Sequence, residues 1–173
     1  MTGSVVWIMG LSGSGKTTTA ASLVDVMRME GNAVIHLDGD DLRIALNRSG
    51  GFSREKRIEL ALSYGRLAQL ICEQGFVVVV SSIGLYREIQ HWCRLNIQSY
   101  LEVFLDAPIE LLHKRDFKGV YHLNNGSAGG LVMGVDIKPE FPENPDVHIL
   151  LSEETTVENC VEHILKSFNV RKS

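Results

Sequence analysis

The sequence predicts a three-layer α/β/α fold, in which a five-stranded parallel sheet lies between two layers of helices. Short apolar runs alternate with segments of helical spacing, which is the pattern of a parallel sheet flanked by helices. The valine run at 77–80 has no polar alternation, as expected of an interior strand that is covered on both faces. The predicted strands are residues 5–9, 33–37, 76–80, 101–105 and 147–151.

The helical segments lie between and after these strands. Gly31 and Gly75 follow two of them and are interpreted as helix stops. A chain of 173 residues buries enough surface to form its own core, so one domain over 1–173 is expected. The predicted helices are residues 15–30, 40–48, 54–74, 85–97, 108–115 and 155–168.

The charge and the cysteines restrict the class of partner and the compartment. The net charge of −4 does not favour a nucleic-acid polymer, so a small-molecule ligand is expected. Cys72, Cys93 and Cys160 lie far apart in the sequence, which favours a reducing compartment over a disulfide or zinc framework. The first apolar run is short and has no cationic leader, so we expect a cytoplasmic protein without a membrane span.

The loop after the first strand has the spacing of a phosphate-binding loop of the P-loop NTPase type. Its glycines let backbone amides turn towards phosphate oxygens, Lys16 reaches the outer phosphates, and Thr17 is a potential magnesium ligand. A strand precedes the loop and a helix follows it, which favours a nucleoside triphosphate site over an accidental match. The predicted nucleotide contacts in this loop are Gly10, Ser12, Gly13, Ser14, Gly15, Lys16, Thr17 and Thr18.

The chemistry is expected at one edge of the sheet. Ligands of such sheets bind beyond the carboxyl ends of the strands, which places 10–17, 38–43, 81–87 and the residues after Asp106 together. Asp38 ends the second strand and is the predicted reactive carboxylate, which would bind magnesium or accept a proton from an attacking hydroxyl. The alternative for the neighbouring Asp40 or Asp41 is that one of them only caps the next helix.

A long segment at about 117–144 is rich in Gly, Asn and Pro and carries no predicted element. A loop of this length in a compact domain is usually functional, and opposite a triphosphate site we expect a lid that excludes water before transfer. The alternative is an ordinary surface excursion.

Several blocks of the sequence resemble the adenylylsulfate kinase family. The phosphate loop is followed by Leu37-Asp38-Gly39-Asp40 and by Gly51-Phe52-Ser53-Arg54-Glu55-Lys56-Arg57-Ile58-Glu59. The resemblance continues in order over nearly the full chain. Its further blocks are Ile83, Tyr86-Arg87-Glu88, Glu102-Val103-Phe104, Arg115-Asp116, Lys118-Gly119, Gly134-Val135-Asp136 and Pro142-Glu143-Asn144-Pro145.

The resemblance implies transfer of the terminal phosphate of ATP to the 3′-hydroxyl of adenylylsulfate with Mg²⁺, and a possible homodimer. Asp38 and Lys16 would then be catalytic, and Thr17 and Asp38 would hold the metal. Substrate contacts implied in the same way are Asp40, Arg43, Phe52, Arg57 and Ile83, with Arg43 and Arg57 on the anionic groups and Phe52 stacked on the base.

Two of the implied roles have plainer alternatives. Arg115 and Lys118 would lie near the adenine and the phosphates of ATP, but a solvated charge cluster has the same composition. Phe52 would equally serve as a hydrophobic staple for the helix that follows it.

The sequence departs from the family pattern on the acceptor side. The family usually has Asn at the position of Leu60, Ser-Pro at Gly84-Leu85, and a different run over 130–136. These departures leave two alternatives to adenylylsulfate phosphorylation, which are a related acceptor such as cytidine diphosphoramidate and a non-catalytic nucleotide-binding switch. Compensating contacts are expected from residues in or next to the helix after the third strand, at Trp92, Arg94, Asn96 and Gln98, although Trp92 also suits the core. His36 is interpreted as a core histidine.

Overall fold

One parallel sheet contains all the predicted strands in the computed structural model, which describes residues 3–47, 53–115 and 131–172. Its strand order is β2-β3-β1-β4-β5, so the first strand is central and the valine-rich third strand is interior. The predicted sheet is therefore confirmed. The strands are β1 (Ser4–Met9), β2 (Val34–Asp38), β3 (Val77–Ser81), β4 (Tyr100–Asp106) and β5 (Val147–Leu150).

The helices of the described residues agree with the predicted segments to within a few residues. Gly31 and Gly75 have φ angles of +85° and +92°, so both are the left-handed stops that the sequence indicated. None of the helices within 3–47, 53–115 and 131–172 has the length and apolar character needed to cross a membrane. The helices are α1 (Lys16–Met29), α2 (Gly39–Ala45), α3 (Arg54–Glu73), α4 (Arg87–Asn96), α5 (Ile109–Lys114) and α6 (Val157–Lys172).

The core consists of two apolar layers, one on each face of the sheet. Alternate side chains of a strand point to opposite faces, and β1 follows this rule. Val6 and Ile8 pack with apolar residues of α1 and α6, whereas Trp7 and Met9 pack with those of α3 and α4. Helices therefore cover both faces of the sheet, which confirms the predicted α/β/α architecture. The ends of the strands are left accessible for ligand binding.

Strand β2 ends at Asp38 and helix α2 begins at the next residue, so the last residue of the strand is also the N-cap of the helix. Asp38 ends the strand, and its Oδ1 accepts a hydrogen bond from the Asp40 amide at 2.9 Å. Asp38 is therefore the N-cap of α2, so the alternative that Asp40 or Asp41 caps this helix is wrong. Asp40 and Asp41 lie in the first turn, where the helix dipole favours negative charge.

The described part of the predicted lid is residues 131–144, while 117–130 lie outside the described residues. It forms a compact turn, in which the Asp136 carboxylate accepts from the Val132 amide at 2.8 Å. Glu140 then accepts from the Arg54 guanidinium at 2.7 Å and from the Arg87 amide at 2.9 Å. These bonds attach the segment to the first turns of α3 and α4, and closure of the lid stays a prediction.

An ion pair between a buried carboxylate and a partly exposed guanidinium links α4 to the sheet. Glu102 of β4 is 2% exposed, and its Oε1 accepts from the Arg94 guanidinium at 2.8 Å. Burial raises the pKa of Glu102, and Arg94 opposes that rise. We expect Arg94→Met to lower the free energy of unfolding by about 1–2 kcal/mol, because the buried carboxylate loses its cation while solvent already screens the 39% exposed Arg94 side chain.

Urea unfolding of Arg94→Met and of Arg94→Met/Glu102→Gln checks this prediction. The double variant should regain most of the loss, because Gln carries no charge that needs a partner. An unchanged unfolding midpoint in Arg94→Met would show that the pair contributes nothing to stability.

Candidate active site

A cleft of about 610 Å³ lies at the carboxyl edge of the sheet. All four segments that the sequence placed at this edge contribute to it. Gly10 and Ser14 belong to the phosphate loop but do not line the cleft, since the Gly10 amide donates to the Ile83 carbonyl at 3.4 Å and Ser14 is buried. Phe52 and Lys118 lie outside the described residues. The predicted residues that line the cleft are Ser12, Gly13, Gly15, Lys16, Thr17, Thr18, Asp38, Asp40, Arg43, Arg57, Ile83 and Arg115.

The phosphate loop has the geometry of an anion site. Gly15 is the N-cap of α1 with a φ of +84°, a conformation that favours glycine. A Cβ at Gly10 would lie 2.6 Å from the Leu105 carbonyl oxygen, so this position also requires glycine. The Lys16 ammonium donates to the Leu11 carbonyl at 2.7 Å and so lies against the loop. The first amides of α1 and the Lys16 charge together favour a phosphate here.

Thr17 and Asp38 join the phosphate loop to the second strand. The Thr17 hydroxyl donates to Asp38 Oδ2 at 2.8 Å, and the Ser81 hydroxyl donates to the same oxygen at 2.7 Å. Burial alone would raise the pKa of Asp38, but hydrogen bonds from Ser81, Thr17 and the α2 amides hold it below its usual value. The carboxylate is therefore ionised at neutral pH and lies beside the phosphate loop.

The other part of the cleft combines cations with an apolar wall. Arg43 lies 3.7 Å from the Asp40 carboxylate, and Arg57 donates to the Leu131 carbonyl. Tyr64 lines the same region, and its hydroxyl donates to the Gly39 carbonyl at 3.2 Å. Guanidinium groups beside an apolar wall suit a ligand with a planar ring and anionic groups. The apolar residues of the wall are Leu60, Ala61, Ile83 and Met133.

Part of the lining follows the fifth strand, outside the four segments predicted to meet at this edge. Thr155, Thr156 and Val157 follow β5 and line the cleft, close to the Ser152 carbonyl that accepts from Arg115 at 3.3 Å. Ligands bind beyond the carboxyl ends of strands, and this rule also indicates the residues that follow β5. Met133 belongs to a segment with no pattern that predicts its burial.

The residues in or next to α4 from which compensating contacts were expected do not line the cleft, so this prediction is wrong. Arg94 pairs with Glu102, and the Asn96 amide donates to the Trp92 carbonyl at 2.7 Å. Trp92 packs against the core on the α3 side, which agrees with the alternative that it is a core residue. Gln98 follows the end of α4 and is exposed. The cleft lies at the first turn of α4, whereas these residues lie in its later turns and beyond.

Comparison with known proteins identifies the family. The sequence profile described as adenylylsulphate kinase matches residues 2–150. An adenylyl-sulfate kinase from Synechococcus is 36% identical over 169 residues, with 98% of this chain and 96% of that protein covered. The chain belongs to the adenylylsulfate kinase family. This confirms the resemblance and places the chain among phosphotransferases that use an alcohol group as acceptor.

Two further relatives are named for their ligands. The structure of the Mycobacterium tuberculosis APS kinase in complex with AMPPNP and APS matches with a TM-score of 0.88 at 29% identity, covering 96% of this chain and 98% of that chain. A cytidine diphosphoramidate kinase from Campylobacter jejuni is 34% identical over 162 residues, with 94% of each protein covered. This chain is thus similar to proteins that are named for two different acceptors.

Proposed function

We propose that this chain transfers the γ-phosphate of ATP to the 3′-hydroxyl of adenylylsulfate or of a closely analogous nucleotide. The observation that carries the proposal is the hydrogen bond between Thr17 and Asp38, at 2.8 Å. It joins the phosphate loop to the acidic segment of the acceptor side, in a chain of the adenylylsulfate kinase family.

Each side of the cleft has its role in this reaction. The loop amides and Lys16 hold the β- and γ-phosphates, and Arg115 lies against the adenine. The acceptor oxygen attacks the γ-phosphorus, the bond to the bridging oxygen breaks, and ADP leaves with that electron pair. Asp38 accepts the proton of the acceptor hydroxyl, while Arg43 and Arg57 hold the anionic groups of the acceptor. Catalysis then depends mainly on positioning and electrostatics.

The Thr17 and Asp38 oxygens also fit Mg²⁺, which prefers oxygen ligands and keeps few protein contacts beside substrate phosphates. When bound, Mg²⁺ neutralises charge on the β- and γ-phosphates. No group of three or more His, Cys, Asp or Glu within 3–47, 53–115 and 131–172 is arranged to hold a metal ion. The pair is therefore the candidate for the metal among the residues described.

Cytidine diphosphoramidate is the second candidate acceptor. A Campylobacter jejuni relative carries that name, and this chain is 34% identical to it. Leu60 and Gly84 line the cleft at two of the positions where the sequence departs from the family pattern. Loss of polar contacts at such positions lowers selectivity, because buried polar groups of the ligand are left without partners.

An acceptor screen tests the proposal. ADP formation from ATP and Mg²⁺ is measured with adenylylsulfate, with cytidine diphosphoramidate and without acceptor. We expect ADP only when an acceptor is added. The acceptor with the higher kcat/KM is the one that the enzyme selects. Equal rates with and without acceptors would contradict a kinase and favour the nucleotide-binding switch. The homodimer and the cytoplasmic location stay predictions, of which sedimentation velocity measures the first.

A further inference from the structure

Three polar side chains form a hydrogen-bonded row on the face of the sheet that α1 covers. His36 and Asp38 are two residues apart on β2, so their side chains share a face. Ser81 ends β3 and pairs in register with Asp38. His36 Nε2 lies 2.9 Å from Ser81 Oγ, which lies 2.7 Å from Asp38 Oδ2.

The available protons determine which group donates each hydrogen bond in the row. An ionised carboxylate only accepts hydrogen bonds, so the single proton of the Ser81 hydroxyl goes to Asp38. The Ser81 oxygen then accepts from His36, which requires a proton on Nε2. His36 therefore donates to Ser81, and Ser81 donates to the Asp38 carboxylate.

We propose that Ser81, held by His36, is a positioning residue that orients the Asp38 carboxylate for phosphoryl transfer. The inference rests on the proposed function, because it assigns Asp38 the role of accepting the acceptor's proton. Ser81 touches no reacting atom in this account and acts through Asp38.

The contacts of Asp38 explain why one hydroxyl matters. Its Oδ1 accepts from the Asp40 amide, and its Oδ2 accepts from both Thr17 and Ser81. A metal ion that draws on Thr17 would leave Ser81 as the side-chain donor still holding Oδ2. Ser81 is 2% exposed, so bulk water does not replace its hydrogen bond. Buried hydrogen-bond donors to a metal-binding or catalytic side chain fix its orientation.

Ser81→Ala tests the proposal in the full chain with ATP, Mg²⁺ and the better acceptor of the screen. We expect kcat to fall about 10- to 100-fold, with the KM values for both substrates unchanged. Ser4→Ala is the matched control, because Ser4 is also a buried serine in a hydroxyl–hydroxyl bond, with Ser99 at 2.9 Å, but begins β1 at the far edge of the sheet. It should leave kcat unchanged.

Variants of His36 separate positioning from packing. His36→Gln keeps an N–H donor of similar reach and should retain most of kcat, whereas His36→Leu should lower it. Because His36 acts through Ser81, His36→Leu should have no further effect in the Ser81→Ala background. Additive losses in this cycle would contradict the row.

The outcomes distinguish the two proposals. A wild type without acceptor-dependent ADP formation would overturn the proposed function and this inference with it. An active wild type with an equal kcat in Ser81→Ala would overturn the inference alone. If Ser81→Ala does not fold, as judged by circular dichroism, the comparison of His36→Leu with His36→Gln decides, and equal kcat in His36→Leu and wild type is the contradicting result.

Discussion

Asp38→Asn is expected to lower acceptor-dependent ADP formation about 1,000-fold, the scale of a lost general base. The Asn amide oxygen still caps α2, since Asn is as good an N-cap as Asp, so the fold is preserved. What is lost is the ionised carboxylate that accepts from Thr17 and Ser81 and takes the acceptor's proton. The Kd for ATP measured without Mg²⁺ should change little, because the loop amides and Lys16 are unaffected.

Steady-state kinetics and calorimetric ATP binding check this result. Asp25→Asn is the matched control, because Asp25 is exposed on α1, and it should behave as the wild type. Asp38→Ala removes the cap as well as the carboxylate and should lose stability in addition to activity. Full activity of Asp38→Asn with its best acceptor would refute the role assigned to Asp38.

Lys16→Met is expected to lower kcat/KM for ATP about 100- to 1,000-fold, the cost of removing one donor aimed at developing charge. The Lys16 ammonium already lies at the loop, 2.7 Å from the Leu11 carbonyl. It has only to turn from that carbonyl to the phosphates, so it acts from a nearly prepared position. Met keeps the length of the side chain and removes the charge.

The same assay checks this prediction with a matched control. Lys166 is exposed on α6, and Lys166→Met should leave kcat/KM unchanged. A Lys16→Met variant with wild-type kcat/KM would mean that the loop amides alone bind the phosphates and that the lysine has no part in transfer.

The sheet and the phosphate loop were predictable because their signals are local. The valine run of β3 has no polar alternation, which indicates burial on both faces before any contact is known. The glycines of the loop are required by local backbone geometry, as the φ of +84° at Gly15 confirms. Such patterns depend on neighbouring residues only, so the sequence alone contains them.

The details that escaped prediction depend on residues far apart in the chain. The hydrogen bond from Ser81 to Asp38 follows from the register of β2 and β3, which no local pattern specifies. The expectation for Arg94 was wrong because α4 leads away from the cleft at about 1.5 Å per residue. Arg94 lies in the later turns of this helix and so does not reach the cleft. Its charge instead satisfies Glu102, whose burial depends on the whole sheet.

The central claim is that Asp38 stands between the phosphate loop and the acceptor, and a crystal structure with a non-hydrolysable ATP analogue and the better acceptor of the screen tests it most directly. The account predicts the Asp38 carboxylate within hydrogen-bond reach of the acceptor 3′-hydroxyl, about 3 Å, with the γ-phosphate held by Lys16. An acceptor hydroxyl bound beyond the reach of Asp38 in that complex would contradict the account.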